Sequence, residues 1–210
     1  MRALSLLLAL LLARDRLRVG LFAPQMPANN EPDVRAYALN ARSKALLESV
    51  RCWPDAAHAT PVIDSHALDA DTGASMHFKC EQLQRIGAFK FRGACNAVFG
   101  LSDDMAARGV CTHSSGNHAS CLSYAAMRRG IPCNVVMPRT APQAKKDTVR
   151  RYGGVITECE PSTSSREATF AEVQARTGGD FVHPYNDPRV IAGQGTCSKE
   201  FMEQTDGLDM

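Results

Sequence analysis

The chain has 210 residues, 44% of them hydrophobic, enough for one large domain or two modest ones around a real core. Its net charge is +2 with acids and bases interspersed, and aromatic residues make up only 6%. That excludes a basic stripe or stacking platform for nucleic acid and leaves a soluble, globular chain as the reading. Eight cysteines, at positions 52, 80, 95, 111, 121, 133, 159 and 197, form no C-x-x-C pair. Most stand inside apolar runs, so they read as buried thiols of a reducing compartment, and no pair has the spacing of a metal site.

In chain order, Met1-Arg2 and the apolar run over 4–13 have the charge and length of a signal peptide, too short to span a bilayer. Leu11 spoils the cleavage site, and Pro24-Gln25-Met26-Pro27 is linker-like. Residues 1–32 are therefore either a targeting segment, acting through 1–23, or a disordered start to a cytoplasmic protein. Apolar spacing predicts a helix over 33–51, short strands over 60–63 and 75–80, and a helix over 88–99 opened by Gly87. From 110 the pattern is regular. Strands are expected over 110–112, 134–137, 155–159 and 181–183, and helices over 117–129, 143–152 and 164–176. Gly130, Gly153-Gly154 and Gly178-Gly179 close those helices. A last helix is expected over 193–204. Strands alternating with helices of this length argue for a parallel sheet with helical crossovers.

Two segments carry the chemistry: Gly87-Ala88-Phe89-Lys90-Phe91-Arg92-Gly93 and Ser114-Ser115-Gly116-Asn117-His118. A lysine at a helix start is disfavoured by the dipole, and Phe89 and Phe91 make its setting apolar. Such a lysine suits a Schiff-base former better than a surface charge. The second segment reads as a strand-to-helix turn that offers hydroxyls, an amide and open N–H groups to an anion. Read alone, it is also an ordinary helix start capped by Ser115 or Asn117, with His118 structural. A lysine amine, an anion cradle and nearby hydroxyls are what chemistry at an amino acid's α-carbon on pyridoxal phosphate requires.

Together these segments resemble the serine racemase and serine/threonine dehydratase family of fold type II pyridoxal-phosphate enzymes. The resemblance extends through Phe78-Lys79-Cys80-Glu81, Val136-Met137-Pro138, Glu160-Pro161-Ser162-Thr163-Ser164-Ser165-Arg166, His183-Pro184 and Val190-Ile191-Ala192-Gly193-Gln194-Gly195-Thr196. It implies a three-layer α/β fold of two domains, with 109–186 the small domain and 33–108 with 187–210 part of the large one. It implies that Lys90 forms the aldimine and moves the α-proton on one face, while Ser115 serves the opposite face. Asn117 would bond the cofactor's ring oxygen, and Tyr185 would lie near the cofactor. Ser114, Ser115, Asn117 and His118 would line the substrate carboxylate site, with Arg166 nearby. In the family the loop just before the lysine helps hold a nucleotide, whose phosphate Arg85 could reach, and Tyr152 matches a nucleotide-contacting tyrosine. The implied activity is serine racemisation with serine or threonine ammonia-lyase activity, and threonine or 3-hydroxyaspartate stays open as the substrate. A homodimer is implied for a complete chain, with Mg2+ and ATP as further ligands.

The sequence departs from the family at several places. Ile86 and Ala88 replace a small polar residue and a serine, and Ile86 and Ser120 weaken the nucleotide site. Tyr185 moves weight towards the dehydratases. The resemblance covers about the first half of a family member. The glycine-rich phosphate loop, the serine facing the pyridine nitrogen and the metal-binding carboxylates are expected beyond Met210. A non-catalytic fragment that partners an intact homologue is the competing reading.

Overall fold

The structure, a computed structural model, describes residues 57–205 and Leu208. The expected targeting segment, the helix expected over 33–51 and Cys52 lie outside the described residues. Strands β1 (Val62–Asp64) and β2 (His77–Lys79) pair antiparallel, with helix α1 (His66–Thr72) between them. Two 3-10 turns (Glu81–Leu83 and Arg85–Gly87) lead into α2 (Lys90–Phe99), and α3 (Asp103–Arg108) follows. Then come β3 (Val110–His113), α4 (Asn117–Arg129), β4 (Cys133–Pro138), α5 (Gln143–Arg151) and β5 (Val155–Cys159). The chain continues through α6 (Thr163–Thr177), β6 (Asp180–Phe181) and α7 (Pro188–Gln204).

The second sheet is all parallel, in the order β5-β4-β3-β6. Its central strands are buried on both faces, and alternate side chains serve two cores. Val110, Cys133, Val135 and Met137 join Phe91, Leu122 and Val149 in the larger core, formed with α2, α4 and α5. Cys111, Val136 and Cys159 face Phe170 and Val173 of α6 on the other side. The result is helix, sheet, helix: the parallel sheet with helical crossovers that the alternating pattern implied, and the three layers that the resemblance implied. Among the described residues no helix is long and apolar enough to cross a membrane. Seven described cysteines carry free thiols, six of them buried, as the apolar runs around them implied.

The departures from expectation are two short helices and the boundaries of several elements. α7 starts at Pro188 rather than at 193, because Asp187 caps the Arg189 N–H and proline occupies the first turn. α1 and α3 were not expected. Each is capped by a serine, Ser65 and Ser102, and closed by a glycine. α2 begins at Lys90, since 85–87 form a separate 3-10 turn. The strand expected over 181–183 is instead Asp180–Phe181, one residue earlier and shorter, although the Val182 N–H still donates to the Cys111 carbonyl.

Candidate active site

Strand order reverses at β3: the chain moves outward to β4 and β5, then returns to place β6 on β3's other side. In a parallel sheet, the crevice outside the carboxyl ends at such a point is where ligands sit. Segment 114–118 leaves β3 there, and 182–186 leaves β6 there. α2 brings Lys90 to the same place. The Lys90 Nζ donates to the Pro184 carbonyl at 2.8 Å and lies 5.4 Å from the centre of the Phe89 ring. Burial lowers its pKa, opposed by the Cys121 thiol. Desolvation therefore makes this amine a better nucleophile, in the same direction as the helix dipole invoked from sequence.

The turn before Lys90 is strained. Ile86 has φ 64° and ψ 6°, and Gly87 follows at φ 67°. A β-branched side chain in the left-handed region costs about 1–2 kcal/mol. Gln84 holds the turn. Its Oε1 accepts from the His58 and Arg85 N–H groups, each at 3.0 Å, and its Nε2 donates to the His58 carbonyl at 2.8 Å.

The turn after β3 is held by the Ser114 N–H on the Val136 carbonyl at 3.1 Å and by the Gly116 N–H on Ser114 Oγ at 3.3 Å. Gly116 is the residue at the helix cap, and no side chain caps α4, so the expected cap by Ser115 or Asn117 does not form. Ser115 is exposed at the tip of the turn. The Asn117 Oδ1 accepts a hydrogen bond from Lys145 Nζ at 2.6 Å. His118 is buried. Its Nε2–H donates to the Val182 carbonyl at 3.2 Å, and its Nδ1 has no partner. Burial pushes its pKa down to about 4, so the ring is neutral near pH 7.

Arg166 lies farther along the carboxyl edge. It lines a cavity of about 160 Å³ with Pro138, Glu160, Pro161, Ser162 and Thr163, and its Nε is buried without a partner. His183 lies within electrostatic reach of both: burial depresses its pKa, Asp187 opposes the shift, and Lys90 and Arg166 each add to it. The ring of Tyr185, 68% exposed, stands edge-on to His183 at 4.4 Å. Tyr152 packs edge-on to Tyr124 at 4.9 Å, and Tyr124 meets Phe91 at 5.4 Å. Arg85 sits in the strained turn, half-buried. Lys90, the 114–118 turn and the loop after β6 thus converge, with Arg166 beside them.

Sequence reasoning missed Lys145, the Pro184 carbonyl and the role of His183. The signal for Lys145 was present: it is a cation in the first turn of a helix, the same anomaly that singled out Lys90. Among the described residues no cluster of His, Cys, Asp and Glu is built to hold a metal ion.

These features fit pyridoxal phosphate. The lysine is half-buried with a lowered pKa, the first turn of α4 lacks a side-chain cap, and a Cβ added to Gly116 would meet nothing within 4 Å. Comparison with known proteins agrees: residues 54–209 match the family described as pyridoxal-phosphate dependent enzyme, and the chain belongs to it. It is 80% identical over 150 residues to a beta-hydroxyaspartate dehydratase of Paracoccus denitrificans, covering 71% of this chain and 48% of that protein. It is 53% identical over 152 residues to a serine racemase of Arabidopsis thaliana, covering 72% and 46%. The serine racemase structure from Dictyostelium discoideum superposes with a TM-score of 0.76 at 40% identity, covering 80% of this chain and 54% of that one. The chain spans about half the length of the curated relatives it matches.

Proposed function

We propose that this chain carries the lysine half of a pyridoxal-phosphate dehydratase whose preferred substrate is a 3-hydroxy amino acid with a second carboxylate, 3-hydroxyaspartate. The observation that carries the cofactor assignment is Lys90: a half-buried amine of lowered pKa, held by a backbone carbonyl beside an uncapped helix start. Pyridoxal phosphate, when bound, supplies an electron sink that acidifies the α-proton of an amino acid. Lys90 would hold the cofactor and move that proton. Asn117 would face the ring oxygen, and the N–H groups of Ser115, Asn117 and His118, unlike those of Ser114 and Gly116, are left to receive the α-carboxylate. Ser115, exposed at the tip of the turn, would serve the opposite face.

Departure of the β-hydroxyl as water leaves an enamine, whose imine tautomer hydrolyses to a 2-oxo acid and ammonia. The preference for a second carboxylate rests on Arg166, whose buried Nε lacks a partner, and on the 80% identity to a protein of that named activity. Serine racemisation with serine ammonia-lyase activity is the second reading, supported by the 53% identity to a named serine racemase. Buried unpaired thiols favour a reducing, cytoplasmic setting, and the same reading includes a homodimer with 109–186 as its small domain.

The test is ammonia and oxo-acid release from 3-hydroxyaspartate, L-serine and L-threonine by the full-length protein. The expected kcat/KM for 3-hydroxyaspartate exceeds that for serine by at least about tenfold, Arg166→Gln removes most of that margin, and Lys90→Ala is silent. Preference for serine would overturn the substrate, and activity in Lys90→Ala would overturn the lysine's role.

A further inference from the structure

Lys145 belongs to the crevice as well. It stands in the first turn of α5, where a helix dipole disfavours a cation, and among the described residues no carboxylate pairs with it. Its Nζ instead donates to Asn117 Oδ1 at 2.6 Å, across 28 residues of chain. Lys145 and Lys90 both draw down the pKa of the same buried thiol, Cys121, so the two amines share one neighbourhood.

The chemistry of this pair is directional. A lysine ammonium has only donors, whereas an asparagine amide has one accepting and one donating end. A contact to Lys145 can therefore use only the oxygen of Asn117, which turns the NH2 group away from Lys145. Without the lysine, the amide can rotate by half a turn and present its oxygen instead. Repulsion would then replace attraction towards an anionic oxygen.

Resting on the cofactor reading above, we propose that Lys145 is a positioning residue that locks the Asn117 amide, so that its NH2 group faces the ring oxygen of pyridoxal phosphate. It acts through Asn117 and not by its own charge on the cofactor.

A thermodynamic cycle separates the two. Cofactor affinity is read from the visible absorbance of bound pyridoxal phosphate in the full-length protein, with Lys145→Met, Asn117→Ala, the double variant and Lys145→Arg. Losing one hydrogen bond to a charged oxygen should weaken binding about ten- to a hundredfold in Lys145→Met. The double variant should be no weaker than Asn117→Ala, and Lys145→Arg should stay within about twofold of the parent. Losses that multiply in the double variant, or none in Lys145→Met, overturn the proposal. The second readout needs no cofactor: in the unliganded protein, Lys145→Met should shift the side-chain amide resonances of Asn117, whereas Lys145→Arg should largely keep them. An unshifted amide in Lys145→Met overturns the lock. If the parent fails to bind pyridoxal phosphate, the cofactor reading falls, and the amide resonances still decide whether the lock exists.

Discussion

His118 is a histidine that folding keeps uncharged. Its Nε2–H is committed to the Val182 carbonyl and its Nδ1 is buried without a partner, so a proton added there would enter a desolvated space within reach of the Lys90 charge. The folded ring titrates at about 4, against 6.5 in the unfolded chain. Between those values the unfolded state binds a proton that the folded state refuses, so stability is complete above 6.5 and is lost as pH falls through the window. His113 and His183, whose pKa values burial also lowers, add in the same direction. His118→Gln removes one titration while leaving theirs in place. Urea unfolding at pH 7 and pH 4.5 should show the parent losing about 2–3 kcal/mol more than the variant over that interval. Equal losses would mean that the ring charges without penalty.

At the scale of elements, α2 and α7 cross where each has a glycine. A Cβ on Gly193 would stand 2.6 Å from the Arg92 carbonyl oxygen and from Gly93 Cα, and one on Gly93 would stand 2.7 Å from the Val190 carbonyl oxygen. These neighbours are backbone and cannot step aside. Gly193→Ala should therefore cost about 1–3 kcal/mol in urea unfolding. Gly116→Ala makes the opposite case, with an ordinary negative φ and open space around the new methyl. It should change stability by less than about 0.5 kcal/mol while weakening pyridoxal phosphate binding, since the methyl would project into the proposed cradle. A stability loss in Gly116→Ala as large as that in Gly193→Ala would refute the distinction. The parallel sheet and α4 were legible because the signals are local: an apolar run, then a 13-residue helix ending at a left-handed glycine, Gly130. The start of α7 was legible in principle at Asp187-Pro188, a capping carboxylate followed by a proline at the first helical position, although the expected boundary was 193. The approach of Lys145 to Asn117 was not legible, because β4 and the loop after it bring the two together only in the folded sheet. Nor did anything local mark Ile86 for positive φ, since β-branched residues are the ones that region excludes.

Across the whole molecule, the antiparallel pair β1–β2 is tied to the helices by buried charge. Arg92, its side chain fully buried, donates through Nε and Nη2 to the two oxygens of Glu81 at 2.8 and 2.7 Å. It also reaches Glu200 on α7, with Nη2 at 2.6 Å and Nη1 at 3.2 Å. Thr60 donates to Glu81 at 2.5 Å, while Lys79 of β2 reaches Glu200 at 2.6 Å and the Thr60 carbonyl at 2.6 Å. One guanidinium thus joins the segment before β1, the turn after β2, α2 and α7, two residues from the lysine at the crevice. Replacing the whole network by apolar groups could be neutral, because desolvating ions offsets much of their attraction. Removing Arg92 alone is different: Arg92→Met leaves Glu81 buried with only the Thr60 hydroxyl, and Glu200 half-buried with Lys79 as its remaining cation. The expected loss is about 3–5 kcal/mol in urea unfolding, and Arg92→Lys should recover only part of it, since an ammonium cannot fork to two carboxylates. Adding Glu81→Gln and Glu200→Gln to Arg92→Met should restore a substantial share, because the charges left stranded are then gone. If the triple variant is as unstable as Arg92→Met, the guanidinium matters here for its packing rather than its charge, and the electrostatic account of how α2 is held against α7 fails.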